Sequence, residues 1–220
     1  MRDKALVLLS GGLDSATCLY WATRKFSAVY AITFNYHGRL RNEKRAAAKL
    51  AKAAGVADLI QVELPFVREV SDFQGGKFMT GNGDSTGLWS SYVPARNMMF
   101  YSIAAHHAEF LGVRWIVGGH NRHDVSFFKD SSKDYIEKMN FLLKRGCLLC
   151  NGRAYKIVLP LAGMRRSEII KLAMRLDAPL ALTWSCHKKG RRHCGRCYAC
   201  RQRLKAFVSL GMSDPAIRPA

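Results

Sequence analysis

Four cysteines near the C-terminal end of the chain are spaced as ligands of one metal ion. They are Cys186, Cys194, Cys197 and Cys200, in the pattern C-x7-C-x2-C-x2-C. Each C-x2-C step lets two thiolates reach the same ion, and four sulfur ligands complete a closed tetrahedral shell. The spacing therefore predicts a structural zinc site, with an iron–sulfur cluster or buried free thiols as the alternatives. His187 and His193 lie between the first two cysteines and are alternative ligands.

A second C-x2-C pair, Cys147 and Cys150, has only Cys18 left among the cysteines to extend it. The pair could be half of a second metal site, a redox pair or two cysteines in a turn, and we favour the turn. The seven cysteines are an odd number, and the first nine residues do not have the pattern of a signal peptide. We therefore expect a reducing compartment and a cytoplasmic protein.

A glycine-rich loop near the N-terminus has the residue types of a phosphate site. It reads Ser10-Gly11-Gly12-Leu13-Asp14-Ser15 and lies between an apolar run and a helical pattern. The glycines let backbone N–H groups turn toward an anion, the two serine hydroxyls add donors, and the helix N-terminus favours negative charge. The Gly-Lys-Ser/Thr ending of a Walker loop and the third glycine of a dinucleotide fingerprint are both missing. The alternative is an ordinary glycine turn.

The charge of the chain is strongly positive. Its 220 residues include 35 Lys and Arg against 16 Asp and Glu, which gives a net charge of +19. Such a surface attracts polyanions, although nucleic acid is not a required partner. Hydrophobic residues make up 49% of the chain, which excludes a mainly disordered protein. No apolar run reaches the roughly 18 residues of a membrane-spanning helix, so we expect no membrane partner.

The elements that must position these residues alternate between strand and helix. The sequence predicts strands at 4–9, 29–34, 59–64, 114–118 and 156–159. It predicts helices at 15–24, 41–54, 97–111, 134–144, 167–176 and 198–210, with Ser167 as the cap of the fifth. This order predicts an α/β fold with a mostly parallel sheet flanked by helices.

Ligands of such sheets bind outside the carboxyl ends of the strands. Segments 10–15, 35–39 and 118–124 each follow a strand and should surround one crevice. Residues 71–91 form a long glycine-containing loop that could be a lid. We divide the chain into a nucleotide-binding domain at 1–182 and a zinc-binding tail at 183–220 whose helix packs on that domain.

The glycine-rich loop resembles the pyrophosphate-binding loop of the ATP pyrophosphatase (PP-loop) superfamily, whose fold is adenine nucleotide alpha hydrolase-like. Further strings resemble the 7-cyano-7-deazaguanine synthase family over nearly the whole chain. They are Tyr36 with Arg39, Arg41 and Glu43; Tyr92-Val93-Pro94-Ala95-Arg96-Asn97; Asn121 with Asp124; Leu182-Thr183-Trp184-Ser185-Cys186; and Cys194-Gly195-Arg196-Cys197 with Cys200, Arg203 and Ala206-Phe207.

The resemblance implies an ATP-dependent synthase that converts 7-carboxy-7-deazaguanine and ammonia into the nitrile, 7-cyano-7-deazaguanine (preQ0). The carboxylate would be activated as an acyl-adenylate, ammonia would give the amide, and a second adenylation would allow dehydration. The family uses Mg2+, carries one structural zinc per chain and commonly forms homodimers. Its product supplies modified deazaguanine nucleosides of tRNA.

The same resemblance implies roles for residues of this chain. The loop at 10–15 and Tyr36 would bind ATP, and Asp14 and Ser15 would also be catalytic. Arg96 would be a catalytic cation that spreads the charge developing during AMP transfer. The residues expected to contact the acid are Arg39, Arg96, Asn97, Asn121, Asp124 and Asp130. The structural alternative is that Arg96 and Asn97 only anchor a helix and that Arg39 is solvated.

The sequence departs from the family pattern around the expected acceptor site. Ser131-Ser132 replaces a Cys-Arg pair, Gly38 replaces a glutamine and Leu40 replaces a histidine. Either Lys129 or Lys133 compensates for the missing arginine, or the pocket admits a nucleophile larger than ammonia. One alternative is therefore an enzyme that transfers the activated deazaguanine to a protein or another amine, as in antiviral operons. A second is a zinc-containing nucleic-acid-binding module without catalysis, and a tRNA thiolase or AMP-forming amidase is a further possibility.

Overall fold

A computed structural model describes residues 3–69, 92–148 and 153–217 of the chain. Its strands are β1 (Lys4–Leu8), β2 (Ala28–Tyr36), β3 (Asp58–Leu64), β4 (Trp115–Val117) and β5 (Lys156–Val158). Its helices are α1 (Leu13–Lys25), α2 (Arg41–Ala54), α3 (Arg96–Phe110), α4 (Arg122–Phe127), α5 (Lys133–Gly146), α6 (Arg166–Arg175) and α7 (Tyr198–Val208). Short 3-10 turns cover Lys129–Ser131 and Leu180–Leu182.

The five described strands form one sheet in the order β3-β2-β1-β4-β5, and every pairing is parallel. β1 is the middle strand, with Ala5 paired to Val29 on one side and to Trp115 on the other. Ala5, Leu6 and Val7 of this strand have no solvent exposure, as expected for a parallel strand covered on both faces. The predicted α/β architecture is confirmed.

Helices cover both faces of this sheet and create two apolar layers. One layer contains Leu19 of α1, Leu50 of α2, Ile169 of α6 and Phe207 of α7. The other contains Tyr101 of α3 and Ile136 of α5, packed against the opposite face of the strands. Because the helices occupy both faces, the carboxyl ends of the strands remain as the open edge where a ligand can bind.

Two details of the helix prediction are wrong. The sequence did not predict α4, which is only six residues long and begins inside the predicted crevice segment. Ser167 does not cap α6, because the helix begins at Arg166 and Arg165 is its N-cap in an extended conformation. The carboxylate of Glu168 accepts the Arg165 N–H at 2.6 Å, which is the bond from the third helical residue back to the N-cap in a capping box.

Two further predictions fall on residues that the structure does not describe. The lid proposed for residues 71–91 lies outside the described ranges, and so does Cys150 of the second cysteine pair. Among the described residues, no helix is long and apolar enough to span a membrane.

A buried ion pair organises the C-terminal segment. The side chains of Arg203 and Asp214 have no solvent exposure, and two nitrogens of the guanidinium contact the two carboxylate oxygens at 2.6 and 3.0 Å. The remaining guanidinium bonds go to Thr183 Oγ1 at 2.6 Å, Ser185 Oγ at 3.2 Å and the Leu180 carbonyl at 3.1 Å. One side chain therefore connects α7 with the chain before and after it.

We expect Asp214→Ala to lower the free energy of unfolding by about 3–5 kcal/mol, because it leaves a buried guanidinium without its counter-charge. Urea unfolding measures the change, and Arg24→Ala is the matched control. Arg24 pairs with Asp177 at 3.1 Å on the surface, where both side chains are well exposed, and its loss should cost under about 1 kcal/mol. Equal losses in the two variants would contradict the organising role of the buried pair.

Candidate functional site

The carboxyl ends of the central strands open into a cleft of about 1060 Å³. This cleft brings together most of the residues that the sequence predicted for the site. Those that line it are Ser10, Gly12, Leu13, Asp14, Ser15, Tyr36, Arg39, Arg96, Asn97, Asn121 and Asp124. Gly11 and Asp130 are the two predicted site residues that do not.

The glycine-rich loop is closed by a ring of short hydrogen bonds. The Gly12 N–H donates to Ser10 Oγ at 3.2 Å, and the Ser15 hydroxyl donates to the Gly12 carbonyl at 3.1 Å. The two serine hydroxyl oxygens are 3.0 Å apart. Since Ser15 uses its only proton on Gly12, Ser10 must donate to Ser15. The loop thus holds its hydroxyls and the N-terminus of α1 together at the cleft, which is the arrangement an anion requires.

Gly11 fixes the path of this loop. Its φ is +96°, in the region that favours glycine, and an added Cβ would lie 2.5 Å from the main-chain oxygen of Glu43. The Gly11 carbonyl accepts the Trp184 N–H at 2.8 Å, which joins the loop to the C-terminal segment. Gly11 therefore shapes the loop from behind and does not face the ligand space.

Arg39 connects the carboxyl ends of β1 and β2. Its guanidinium donates to the Ser10 carbonyl at 3.0 Å, to Thr33 Oγ1 at 2.8 Å and to Asn35 Oδ1 at 2.9 Å, as well as to the Phe34 carbonyl. Burial lowers the pKa of Arg39, opposed mainly by the nearby carboxylate of Glu43. Four of the five guanidinium donors are used in this way, so the structure gives Arg39 a positioning role. Its contact with substrate stays a prediction.

Asn121 connects two carboxylates in the cleft. Its side-chain N–H donates to Asp14 Oδ2 at 2.8 Å, and its Oδ1 accepts the N–H groups of His123 and Asp124 at 2.8 and 3.2 Å. The Asp124 carboxylate accepts the Asn121 N–H at 3.1 Å, which completes a capping box at the start of α4. Burial raises the pKa of Asp124, and the charge of Asp14 raises it further.

The other carboxylate oxygen of Asp14 is a candidate ligand for a cation. Asp14 Oδ1 is buried and has no hydrogen-bond partner among the described residues. Arg166 approaches Asp14 with a separation of 4.0 Å between Nη2 and Oδ2. A buried carboxylate oxygen without a partner is uncommon, and a hard divalent cation would satisfy it.

Helix α3 carries Arg96 and Asn97, and it begins at a residue with an unusual main-chain conformation. Ala95, its N-cap, has a φ of +52°, which is rare for a residue other than glycine. Asn97 is buried and donates through Nδ2 to the Asp130 carbonyl at 3.4 Å. The main chain of Asp130 thus supports the site, and the charge of its carboxylate acts on His120 of the cleft. One helical turn further on, Phe100 stacks on Phe34 with 4.2 Å between ring centroids and forms an aromatic wall of the cleft.

His120 is a cleft residue that the sequence analysis did not select. It follows Gly118 and Gly119 at the end of β4, and its ring is half-buried beside that of Tyr101, with centroids 5.9 Å apart. Burial lowers the pKa of His120 to about 4, and the charge of Arg96 acts in the same direction. The imidazole is therefore neutral at physiological pH. Its only sequence signal was its position inside the predicted crevice segment.

The four predicted metal ligands come together in the described part of the chain. The Sγ atoms of Cys186, Cys194, Cys197 and Cys200 all lie within 4.8 Å of one another. Cys186 Sγ accepts the N–H groups of Lys188 and Cys194 at 3.4 Å each, and Cys194 Sγ accepts the Cys197 N–H at 3.3 Å. Burial alone would raise the pKa of Cys194, but N–H donors outweigh it and lower the pKa to about 6. This cluster can hold a metal ion.

Neither histidine next to the cluster belongs to this ligand group. His193 accepts the Ser185 N–H through Nε2 at 3.1 Å and packs against Trp184, with 4.2 Å between ring centroids. His187 lines the cleft. Both alternative ligands therefore lie outside the cysteine cluster.

Comparison with known proteins adds a family match. The family model described as "Queuosine biosynthesis protein QueC" matches residues 4–211. The 7-cyano-7-deazaguanine synthase of Thermosynechococcus vestitus is 36% identical, over 97% of this chain and 94% of that protein. The synthase of the same name from Thermoplasma volcanium is also 36% identical, over 98% and 90%. The solved structure of NMN synthetase from Francisella tularensis shares the fold, with a TM-score of 0.55 and 15% identity over 98% of this chain and 81% of that one.

We expect NMR titration of the imidazole nitrogens to show that His120 takes up its proton with a midpoint near pH 4. An unfolded histidine has a pKa of about 6.5, so between these values only the unfolded state is protonated and stability falls as the pH falls. His120→Gln should make the free energy of unfolding less dependent on pH in this window. The exposed His106 provides the control substitution, His106→Gln. A midpoint for His120 near 6.5 would contradict the buried, neutral imidazole.

Proposed function

This chain belongs to the QueC family, and from that premise we propose that it is an ATP-dependent 7-cyano-7-deazaguanine synthase. The reaction consumes 7-carboxy-7-deazaguanine, ammonia and ATP and gives 7-cyano-7-deazaguanine. The observation that carries the proposal is the closed Ser10–Gly12–Ser15 ring at the N-terminus of α1, which lines one cleft together with Asp14 and Arg96. A ligase that forms AMP needs these parts, because a carboxylate becomes a good electrophile only after its oxygen has acquired a leaving group.

The first half-reaction makes the acyl-adenylate. A carboxylate oxygen of the acid attacks the α-phosphorus of ATP, and pyrophosphate leaves. The N–H groups at the N-terminus of α1 would hold the departing β- and γ-phosphates, and the hydroxyls of Ser10 and Ser15 would donate to them only after turning out of the ring. The guanidinium of Arg96, which lines the same cleft, would spread the negative charge that develops during the transfer.

The second half-reaction makes and dehydrates the amide. Ammonia attacks the acyl carbon, AMP leaves with one carboxylate oxygen, and the amine loses a proton. The amide oxygen then attacks the α-phosphorus of a second ATP, and pyrophosphate leaves. Loss of AMP and of both protons on nitrogen then leaves the carbon–nitrogen triple bond. The proposed sequence therefore consumes two ATP molecules and releases two AMP and two pyrophosphate molecules.

A divalent cation fits the acidic side of this cleft. Asp14 offers a buried oxygen with no other partner among the described residues, and Asp124 stands beyond the shared Asn121. Carboxylate oxygens are the ligands that Mg2+ prefers. Bound there, Mg2+ would neutralise charge on the phosphate oxygens. We infer that Asp14 holds it and that Asn121 keeps the Asp14 carboxylate turned toward the phosphate loop.

The cysteine cluster fits zinc in a structural role. Four sulfur donors leave no open coordination position for a substrate. The cluster is joined to the phosphate loop through Trp184, whose main chain bonds to Gly11 and whose indole N–H donates to the Cys186 carbonyl at 2.8 Å. The metal would therefore fix the wall of the cleft without taking part in the reaction.

We keep ammonia as the proposed acceptor because the family match supports it, although the segment that departs from the family pattern does not restore the missing cation. The Ser131 hydroxyl donates to the Asp124 carbonyl at 2.7 Å, and Ser132 Oγ accepts the Tyr135 N–H at 3.2 Å as the cap of α5. Both serine side chains therefore form hydrogen bonds within the turn between α4 and α5. Lys129 and Lys133 do not line the cleft, so neither supplies the cation that the family arginine would have placed there.

Homodimer formation is part of the proposal, and one surface supports it. Phe110 at the end of α3 is 86% exposed, and Leu148, just after α5, is 78% exposed. Phe141 and Leu142 add further exposed apolar area on α5. Large apolar side chains grouped at a surface are typical of a protein–protein interface.

The test of the reaction is product analysis with the acid, ATP, Mg2+ and ammonia. We expect 7-cyano-7-deazaguanine by mass spectrometry, and AMP with pyrophosphate by phosphorus NMR. Asp14→Asn should lower AMP formation by about 10²–10³-fold, as expected for losing one preorganised charge in the transition state. The surface variant Asp177→Asn is the control.

Release of ADP by the natural protein would exclude the AMP-forming reaction. Omitting ammonia and adding candidate proteins tests the conjugation alternative, because a deazaguanine adduct on a protein would identify a different acceptor. Failure to bind the acid with an ATP analogue present would reject deazaguanine chemistry.

We expect metal analysis of the purified protein to give about one zinc per chain. Cys197→Ser should release the metal and destabilise the C-terminal segment, because metal binding there contributes directly to folding. Cys147→Ser is the matched control, since Cys147 is not part of the ligand group. Iron in place of zinc, or a stable protein without metal, would contradict the assignment.

A further inference from the structure

The chain around the cysteine cluster carries a concentrated positive charge. From Thr183 to Ser213 there are eight Lys and Arg residues and no Asp or Glu. Arg203 is buried and paired with Asp214, but the other seven are exposed. They are Lys188, Lys189, Arg191, Arg192, Arg196, Arg201 and Lys205. We refer to these seven residues as the basic segment.

These cations form no ion pair with an acidic residue in the part of the chain that the structure describes. Among the described residues, no ion pair joins any member of the basic segment to a carboxylate. A zinc ion held by four thiolates would carry a net charge of −2, so it would offset only part of a charge of +7. Seven like charges in one short segment repel one another, and a bound polyanion would relieve that repulsion.

The basic segment reaches the cleft at one residue and contacts α2 at another point. Lys205 lines the cleft, as do its α7 neighbours Gln202 and Tyr198. Asn42 Nδ2 donates to the Gly190 carbonyl and joins the segment to the N-terminal turn of α2. The exposed cations Arg41, Arg45 and Lys49 follow along that helix. The basic segment is therefore connected both to the cleft and to the cations of α2.

We propose that the basic segment is a docking surface for a polynucleotide, which it holds by the phosphate backbone. Four of its seven cations are arginines, whose planar fork matches phosphate oxygens in pairs. A nucleic acid presents charge at short, regular intervals, which suits a dense row of cations better than the irregular carboxylates of an acidic protein. The site at the edge of this surface would then work on or beside a bound nucleic acid. The inference rests on charge and position and does not depend on the proposed reaction.

The test is fluorescence anisotropy with labelled 20-nucleotide RNA, single-stranded DNA and duplex DNA over a range of salt concentrations. For a single strand, the slope of log K against log salt is about −0.7 per phosphate neutralised, so seven contacts predict a slope near −5. The variant Lys188→Gln/Lys189→Gln/Arg191→Gln/Arg192→Gln should reduce the magnitude of the slope by about 3 and weaken binding at least tenfold. The probe that binds most tightly identifies the kind of nucleic acid.

The matched control removes four exposed cations elsewhere, in Lys133→Gln/Lys144→Gln/Lys156→Gln/Lys171→Gln. It has the same net charge as the first variant and should keep the affinity and slope of the natural protein. Equal losses in both variants would show that only overall charge matters and would overturn the docking surface. Tighter binding of polyglutamate than of any nucleic acid would overturn it in favour of an acidic protein. Unchanged metal content and melting temperature show that both variants are folded.

Discussion

The candidate site depends on the fixed path of the chain as it leaves β1. The main chain of α2 lies where a side chain at residue 11 would be, so the loop passes at this point only as glycine. Arg39, just after β2, holds the same loop, and Trp184 holds it from the C-terminal segment. Two distant parts of the sequence, residues 39–43 and Trp184, thus meet behind six residues. This preorganisation removes the cost of ordering the loop when a phosphate binds.

The sequence predicted what depends on local pattern. Alternating strands and helices required a parallel sheet, and the spacing of Cys194, Cys197 and Cys200 required thiols close together. Both are confirmed, and the predicted crevice residues do surround one cleft. These features follow from periodicities and short spacings that a single sequence displays. The roles of ATP, Mg2+ and zinc are chemical interpretations of those residues and stay within the proposed function.

The sequence could not predict features that depend on which side chain forms a hydrogen bond with a main-chain group that has no partner in its own helix or strand. Asn121 and Asp124 were assigned to substrate, yet they also cap a helix that was too short to show a hydrophobic period. The residue type of Arg39 suggested a contact with a ligand, but its hydrogen bonds hold the phosphate loop in place. The sequence around His120 did not indicate that its imidazole is neutral. The lowered pKa results from burial and from the charge of Arg96, which is far away in sequence. These are consequences of the packed structure.

The hydrogen bond between Trp184 and Gly11 has a thermodynamic consequence. It links the loop proposed to hold a phosphate to the segment proposed to hold a metal. A ligand that orders either side reduces the conformational entropy still to be lost on the other. Under the proposed function such coupling would be reciprocal, so metallation of the cysteines would tighten nucleotide affinity by the same factor by which the nucleotide would tighten retention of the metal. The availability of the metal in the cell would then set part of the catalytic capacity of the protein.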